Sequence, residues 1–507
     1  MTQKFDASVT TPDDAFERKR LAAIHPEAWS NPDSDEPYHL VVVGAGPAGL
    51  TAASEAAGLG AKVALVERHL IGGTCFNTGC VPSKSLLRTA RLYADMRDAT
   101  RYGAQVPADL DVDFAAVMER MRRIRSHLTA TTSVRRLAAS GVDVFFGHAQ
   151  FESADRLSVN GQPLQFAKAV IATGARPHLP DIAGLRPAGF LTNATVFDLV
   201  RLPPRLLVIG GGPLGCELAQ AFQQLGSKVT IVQNMPLFLE HEERDAAQTL
   251  SDAFSRDGIE VRLNTRVTEV RTEGDEKVVD LVSDDYRNTI RVDAIFVGAG
   301  RRPNVQGLAL EAAGVEFDDI HGIVVDDQLR TANLRIYAAG DVCLSARYTD
   351  TAEESARTVV RNALLGGHDR FSELIFPWCT YTDPEIAHVG LYVREANARG
   401  IPVKTFTVPM HEVDRAITDG EQSGFVKIHV REGSDTILGA TIVSRDAGDM
   451  INQITLAMMA GVGLRTLAKV IHAYPTKSEA IRQAAMAYNR TRLTPRLLAR
   501  LQRWLSR

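Results

Sequence analysis

The chain has 507 residues, a net charge of −4, 45% hydrophobic residues and five cysteines. That length gives room for about three domains, each with a core of its own. The ordinary composition excludes disordered, fibrous and disulfide-scaffold classes, and the slightly acidic charge gives no reason to expect a nucleic-acid partner.

Residues 1–37 form a polar N-terminal extension broken by Pro26, Pro32 and Pro37. A short helix over 15–23 and disorder are both compatible with its composition. It lacks the apolar core of a signal peptide, so a reducing, cytoplasmic location is expected, where paired cysteines serve catalysis or metal binding. From Tyr38 the segment HLVVVGAGPAGLTAASEAAGLGAKVALVER reads as strand, glycine turn, alanine-rich helix and second strand. Gly44, Gly46 and Gly49 form G-x-G-x-x-G, which makes the tight turn, lets backbone approach a pyrophosphate and allows close helix–strand packing. Glu67 ends the second strand, where a carboxylate can hold a ribose hydroxyl.

Next comes GGTCFNTGCVPSKSLLR, with Cys75 and Cys80 inside a glycine-bounded turn. A helix starting at Pro82–Ser83 would favour thiolate at Cys80. The spacing allows a reducible disulfide; a structural disulfide and a zinc half-site are the competing readings. The chain has no second cysteine pair to complete a zinc site. Helical patterns follow over 83–97 and 114–139, then short strands over 142–151. LLVIGGGPLGCELAQAFQQLGSKVTIVQ repeats the dinucleotide pattern with Gly210, Gly212 and Gly215. Two such units in one chain imply two nucleotide cofactors. The second unit ends at Gln233, and NMPLFLEHEE after it carries no Lys or Arg to meet a 2′-phosphate, which favours NADH over NADPH. Strand patterns fill 261–297, and a mixed α/β region with strands over 404–408, 425–430 and 437–443 and a helix over 448–460 begins near residue 376. Residues 490–507 hold six arginines, no acid and leucines at helical spacing around Trp504. Such an arm suits a peripheral membrane or acidic-partner contact, or a terminal helix packed on a dimer.

The C-x-N-x-G-C-x-P-S-K segment resembles the redox-active disulfide of the class I pyridine nucleotide–disulfide oxidoreductases, which include dihydrolipoamide dehydrogenase, glutathione reductase and mercuric reductase. The likeness extends over about residues 38–490 through AVIATGARP (169–177), GAGRRPN (298–304), IYAAGDV (336–342) and FPWCTYTDPEIAHVG (376–390). It implies an α/β fold with two Rossmann-like dinucleotide-binding domains, for FAD and NAD(P), and a C-terminal α/β dimerisation domain. The implied boundaries are 38–178 with 299–374 for FAD, 179–298 for NAD(P), 375–489 for dimerisation and 490–507 for the basic arm. The resemblance further implies a homodimer in which NAD(P)H reduces FAD and the reduced flavin opens a Cys75–Cys80 disulfide. Cys80 would lie next to the flavin, Cys75 would exchange with the acceptor, and Lys84 and Glu217 would form an ion pair beside flavin and nicotinamide. Gly73, Thr74, Thr173, Gly174, Gly300, Gly340 and Asp341 join the glycines, Glu67 and Gln233 as implied cofactor contacts, Asp341 on the ribityl chain. Cys216, Cys343 and Cys379 read as small packed residues.

The segment IHAYPTKSEA (471–480) departs from the lipoamide and glutathione reductases, which carry a histidine where Tyr474 stands, beside a glutamate retained here as Glu479. A phenol titrates too high to serve easily as general base; the nearest imidazole is His472. Tyrosine at this place is similar to mercuric reductase, as are VMERMRRIRSHL (117–128), GSKVTIVQNMPLFL (226–239) and DRAITDGEQSGFVKI (414–428). The chain ends RLQRWLSR without the vicinal cysteine pair common in mercuric reductases, and an N-terminal CxxC module is also missing. The expected acceptor is a small-molecule disulfide or a thiol-bound metal, with Hg(II) held by Cys75 and Cys80 since soft thiolates select soft metals. Alternatives are a dihydrolipoamide dehydrogenase or other small-disulfide reductase, and a membrane-docked redox adaptor serving a partner protein.

Overall fold

The structure is a computed structural model that describes residues 12–33, 36–107, 110–284, 286–493 and 495–506. The chain divides into two compact units, Met1–Asn234 with Val261–Leu374 and Met235–Glu260 with Ile375–Arg507.

The first unit opens with helix α1 (Ala15–Ile24), within the N-terminal extension. Its start is set by Asp14, whose side chain accepts from the Glu17 N–H at 2.8 Å. Glu17, Arg20 and Ile24 are buried, which disorder would not allow. Beyond it, Trp29 Nε1 donates to the Val144 carbonyl and Asn31 brackets the backbone of Phe146. Residues 14–31 of the extension are thus docked and not a polar tail; its residues 1–11 lie outside the described residues.

Strand β1 (Tyr38–Val43) is buried at almost every position, the signature of a parallel strand covered on both faces. It pairs in parallel with β2 (Val63–Glu67) on one side, Leu40 opposite Val63. Helix α2 (Pro47–Gly58) crosses between them, with Pro47 in its first turn. Helices α3 (Gly73–Thr78), α4 (Cys80–Arg97) and α5 (Phe114–Thr129) precede β3 (Val142–Phe146). The pattern over 114–139 is broken by a 3₁₀ turn at Ala130–Thr132, and a separate helix spans Val134–Ala139. The sheet continues through β4 (Ala149–Ser153), β5 (Arg156–Val159) and β6 (Gln162–Ile171) in the order β3-β2-β1-β6-β5-β4, and the strand Ile336–Ala338 also pairs with β6. After β7 (Ala175–Pro177), the second glycine unit forms β8 (Arg205–Ile209), the helix Pro213–Gln224 and β9 (Lys228–Val232). With β10 (Glu260–Arg262) and Ala294–Val297 they form a separate sheet, β10-β9-β8-(294–297). A three-stranded antiparallel sheet over 266–292 follows in sequence.

The second unit is built on a five-stranded antiparallel sheet ordered 377–380, 385–390, 437–444, 425–431, 403–409. Its core gathers Ile428, Ile442 and Met410 from that sheet region with Ile454 of the helix Ala447–Met459 and Ile481 of the helix Glu479–Thr491. Residues 235–260, expected within the nucleotide region 179–298, belong to this unit. Polar contacts join them to it: Glu242 accepts from Tyr392 Oη at 2.7 Å and from Trp378 Nε1 at 3.3 Å, while Glu243 pairs with Lys427 at 2.9 Å and His429 at 3.1 Å. The arm expected from residue 490 begins inside the helix Glu479–Thr491 and continues as the helix Pro495–Leu505. Among the described residues, no helix is long and apolar enough to cross a membrane.

Candidate active site

The cysteine segment is a pair of abutting helices and not the turn expected from sequence. Helix α3 carries Cys75, Gly79 breaks the run, and α4 begins at Cys80 itself, two residues before the expected start. A Cβ at Gly79 would lie 2.8 Å from the Thr74 carbonyl oxygen, so the break needs a glycine. Both cysteines are free thiols here, and they hydrogen-bond to each other. That bond, with Cys75 as donor, is the largest influence holding the Cys80 thiol well below its ordinary pKa, against its own burial. Thr349 Oγ1, 3.3 Å from Cys80 Sγ, and the charge of Lys84 act in the same direction. Cys75 is pushed up correspondingly, first by the same bond and then by burial. The two shifts run in opposite directions and favour thiolate at Cys80, at the first turn of a helix, over thiolate at Cys75.

Lys84 lies one turn beyond Cys80 on α4, and its Nζ donates to both Glu217 oxygens at 2.8 and 3.0 Å. Glu217 has 4% of its side-chain surface exposed and Lys84 35%, so the carboxylate is the buried partner. Cys216, beside Glu217, and Cys343 are pushed up by burial, which keeps their thiols protonated. Cys379 lies in the second unit, on the strand Pro377–Thr380.

The glycine turns fit nucleotide phosphates. Gly46 caps α2 and Gly212 caps the helix Pro213–Gln224, neither with a side-chain bond, and neither first turn holds an acid. Their N–H groups are left for an anion. A Cβ at Gly212 would meet nothing within 4 Å, so this turn is open to a ligand. At Gly49 and Gly215 a Cβ would clash with the carbonyls of Gly44 and Gly210, which fixes the close helix–strand contact. Gly73, preceding Thr74, approaches the same turn: its Cβ would lie 2.6 Å from Gly46 Cα. Glu67 accepts from the Ala45 N–H at 2.8 Å and the His69 N–H at 2.9 Å. Asp341, after Gly340, pairs with Arg301, next to Gly300, at 2.5 Å, and burial still raises its pKa. Each carboxylate keeps lone pairs for a hydroxyl. Thr173 Oγ1 donates to the Asn304 carbonyl at 2.7 Å, and β7, just after Gly174, pairs antiparallel with Arg301–Pro303. The Gln233 N–H donates to the Arg262 carbonyl at 3.0 Å. Strand pairing thus brings beside Gln233 a basic residue that scanning along the sequence did not reach.

Tyr474, His472 and Glu479 are not brought together. Tyr474 Oη donates to Asp414 Oδ2 at 2.8 Å, and the ring is 74% exposed. His472 Nε2 meets the Gln453 side chain at 2.8 Å, and Glu479 pairs with Arg482 at 2.9 Å. Asp414 was missed as a partner; its sole signal in sequence is its place in the stretch 414–428. The bond to Asp414 raises the Tyr474 phenol further above neutrality. Lys477 in the same loop pairs with Glu421 and Asp446, so the segment 414–421 contacts the tyrosine loop at both Tyr474 and Lys477.

Comparison with known proteins places the chain in a family. The family model for pyridine nucleotide-disulphide oxidoreductases matches residues 38–363, and that for their dimerisation domain matches 376–485. A mercuric reductase of Lysinibacillus sphaericus is 34% identical over 94% of this chain and 86% of its own length. A dihydrolipoyl dehydrogenase of Chlamydia muridarum is 32% identical over 89% of this chain and 97% of its own. Among solved structures, the HOCl-induced flavoprotein disulfide reductase RclA from Escherichia coli matches with a TM-score of 0.79 and 30% identity, over 89% of this chain and 99% of that one. The chain belongs to the pyridine nucleotide–disulphide oxidoreductases, homodimeric flavoenzymes that use FAD and NAD(P)H.

Proposed function

We propose that the enzyme delivers electrons through Cys75 and Cys80 to a thiol-bound metal or small disulfide, in the manner of a mercuric reductase. The observation that carries this reading is the paired dithiol: Cys75 and Cys80 hydrogen-bonded on abutting helices, with Thr349 Oγ1 3.3 Å from Cys80 Sγ and Lys84 one turn on, surroundings that draw the Cys80 thiol below its ordinary pKa. Bound FAD supplies the two-electron chemistry that links the nicotinamide to these thiols. Glycine turns at Gly44–Gly49 and Gly210–Gly215 would hold the pyrophosphates, Glu67 and Gln233 the riboses, and Asp341 the ribityl chain. Lys84, fixed by Glu217, keeps positive charge near Cys80 and stabilises its thiolate. For a disulfide acceptor, Cys75 attacks one sulfur as the S–S bond breaks, and its proton passes to the departing sulfur, which leaves as one acceptor thiol. Cys80 then displaces the second acceptor thiol, and the Cys75–Cys80 disulfide forms. For a thiol-bound soft metal such as Hg(II), Cys80 and then Cys75 displace the carrier thiolates and ligate the metal, the Cys75 proton leaving on one displaced thiol.

Tyr474, tied to Asp414 and kept protonated, is a hydrogen-bond donor and a poor base. This favours metal over dithiol exchange; His472 and Glu479, each bonded elsewhere, do not replace the missing histidine. The retained Glu479 and the dihydrolipoyl dehydrogenase relatives support small-disulfide reduction as the second reading. Gln233 keeps NADH as the favoured coenzyme, and Arg262 is the position at which to challenge that choice.

Consumption of NADH and NADPH by the holoenzyme, measured with Hg(II)–thiol complexes, lipoamide, glutathione disulfide and a quinone, decides among acceptors. Highest turnover with Hg(II)–thiol complexes is expected. Preference for lipoamide would favour the second reading, and preference for a quinone would contradict both. The exposed Leu498, Trp504 and Leu505 of the terminal helix support a peripheral contact with an anionic membrane. Equal sedimentation with anionic liposomes of the full chain and a chain ending at Asn489 would remove that contact.

A further inference from the structure

Helix α3 has six residues, no side-chain cap at Gly72 and no continuation past Gly79. A helix this short does not hold itself in water, so the direction of Cys75 depends on what grips the segment from outside. The grip is at Asn77, between the two cysteines and 5% exposed. Its Nδ2 donates to the carbonyls of Ile71 at 3.1 Å and Gly73 at 2.9 Å. Its Oδ1 accepts from Arg20 of α1, and its backbone carbonyl accepts from Arg125 of α5 at 2.9 Å. Glu17 of α1 accepts from both guanidiniums, from Arg20 Nε at 3.0 Å and Arg125 Nη2 at 2.9 Å. The side chains of Glu17, Arg20 and Arg125 are 3%, 5% and 2% exposed. Buried ion triads of this kind are weak contributors to net stability and are better understood through the geometry they impose.

We propose that α1 is a positioning element of the redox segment: Arg20, held by Glu17, clamps Asn77 so that Cys75 and Cys80 stay at exchange distance. The inference rests on reading those cysteines as the redox couple. It gives the N-terminal extension a task the family resemblance does not assign. Without the clamp, α3 gains orientations in which Cys75 points away from Cys80, so the effective concentration of one thiol at the other falls.

The test uses the full-length holoenzyme, equilibrated in glutathione redox buffers, acid-quenched and analysed by mass spectrometry for the Cys75–Cys80 disulfide. Arg20→Met is expected to lower the equilibrium constant for disulfide formation about tenfold, the weight of one charge-assisted hydrogen bond, and to speed alkylation of Cys75. Arg20→Lys should recover part of the loss. Arg122→Met, which breaks the Arg122–Asp14 pair tying the start of α1 without touching Asn77, should lower the melting temperature and leave the constant unchanged. Asn77→Ala removes the clamped group while keeping the charge balance of the triad, and serves if Arg20→Met does not retain FAD. An unchanged constant in folded Arg20→Met or Asn77→Ala, or an equal shift in Arg122→Met, overturns the proposal. A wild type that forms no Cys75–Cys80 disulfide at any redox poise overturns the functional reading and this inference with it.

Discussion

The cysteine segment and the tyrosine loop are expected to act on one acceptor, yet they are held in opposite ways. Residues 72–84 are gripped from within the first unit: Asn77 by α1 and α5, Cys80 by Thr349, Lys84 by Glu217. Residues 471–479 are tied through side chains, Tyr474 to Asp414 and Lys477 to Glu421 and Asp446, while Ile471 and Tyr474 stay 95% and 74% exposed. In the first region the surroundings already separate the two thiols, lowering the Cys80 pKa and raising that of Cys75. The second is held by side-chain bonds and leaves the Tyr474 ring uncovered.

Breaking the first region should have the largest effects. Cys75→Ala should reduce turnover with thiol-linked acceptors at least about a thousandfold, since a covalent nucleophile has no substitute. Steady-state NAD(P)H oxidation checks this. Lys84→Met should shift the Cys80 titration, followed as thiolate absorbance near 240 nm, up towards the ordinary value of about 8.5. In the unaltered dithiol the Cys80 pKa lies below the usual thiol range, so thiolate absorbance should persist at neutral pH and fade only as pH drops through that lowered value. An ordinary thiol would already be protonated there.

Changes in the second region should be smaller and selective. Tyr474→His restores an imidazole and is expected to raise lipoamide turnover about tenfold, short of the full range for a general base because Glu479 is bonded to Arg482. Asp414→Asn should lower the Tyr474 phenol pKa, visible in its ultraviolet titration, with little effect on Cys75 alkylation. Arg262→Ala should leave NADH use intact; a fall of about tenfold in NADPH use would show that the strand neighbour of Gln233 selects the phosphorylated coenzyme.

These regions also differ in how far the sequence revealed them. The glycine turns, Cys75, Cys80 and the strand–helix alternation follow from local chemistry, because each turn or cap is specified within a few residues. The Lys84–Glu217 pair came through family likeness, for nothing local marks a lysine and a glutamate far apart in sequence as partners. Arg20 with Asn77, Tyr474 with Asp414 and Glu242 with Tyr392 were not legible. Each joins polar side chains distant in sequence, and no periodicity encodes which surface a helix end will meet. Glu17 and Arg20 lie in a stretch whose polar composition gives no sign of burial, since Arg125 and Asn77 bond them only in the folded network. The start of α4 at Cys80, instead of Pro82, follows from Gly79, whose absent Cβ permits the break.

The central claim is that Cys75 and Cys80 alone form the redox couple that NAD(P)H charges. The most direct measurement is differential alkylation of the oxidised holoenzyme before and after anaerobic addition of NADH or NADPH, with each cysteine quantified by mass spectrometry. New label confined to Cys75 and Cys80 is the result predicted. No new label, or new label at Cys216, Cys343 or Cys379 in their place, would contradict it.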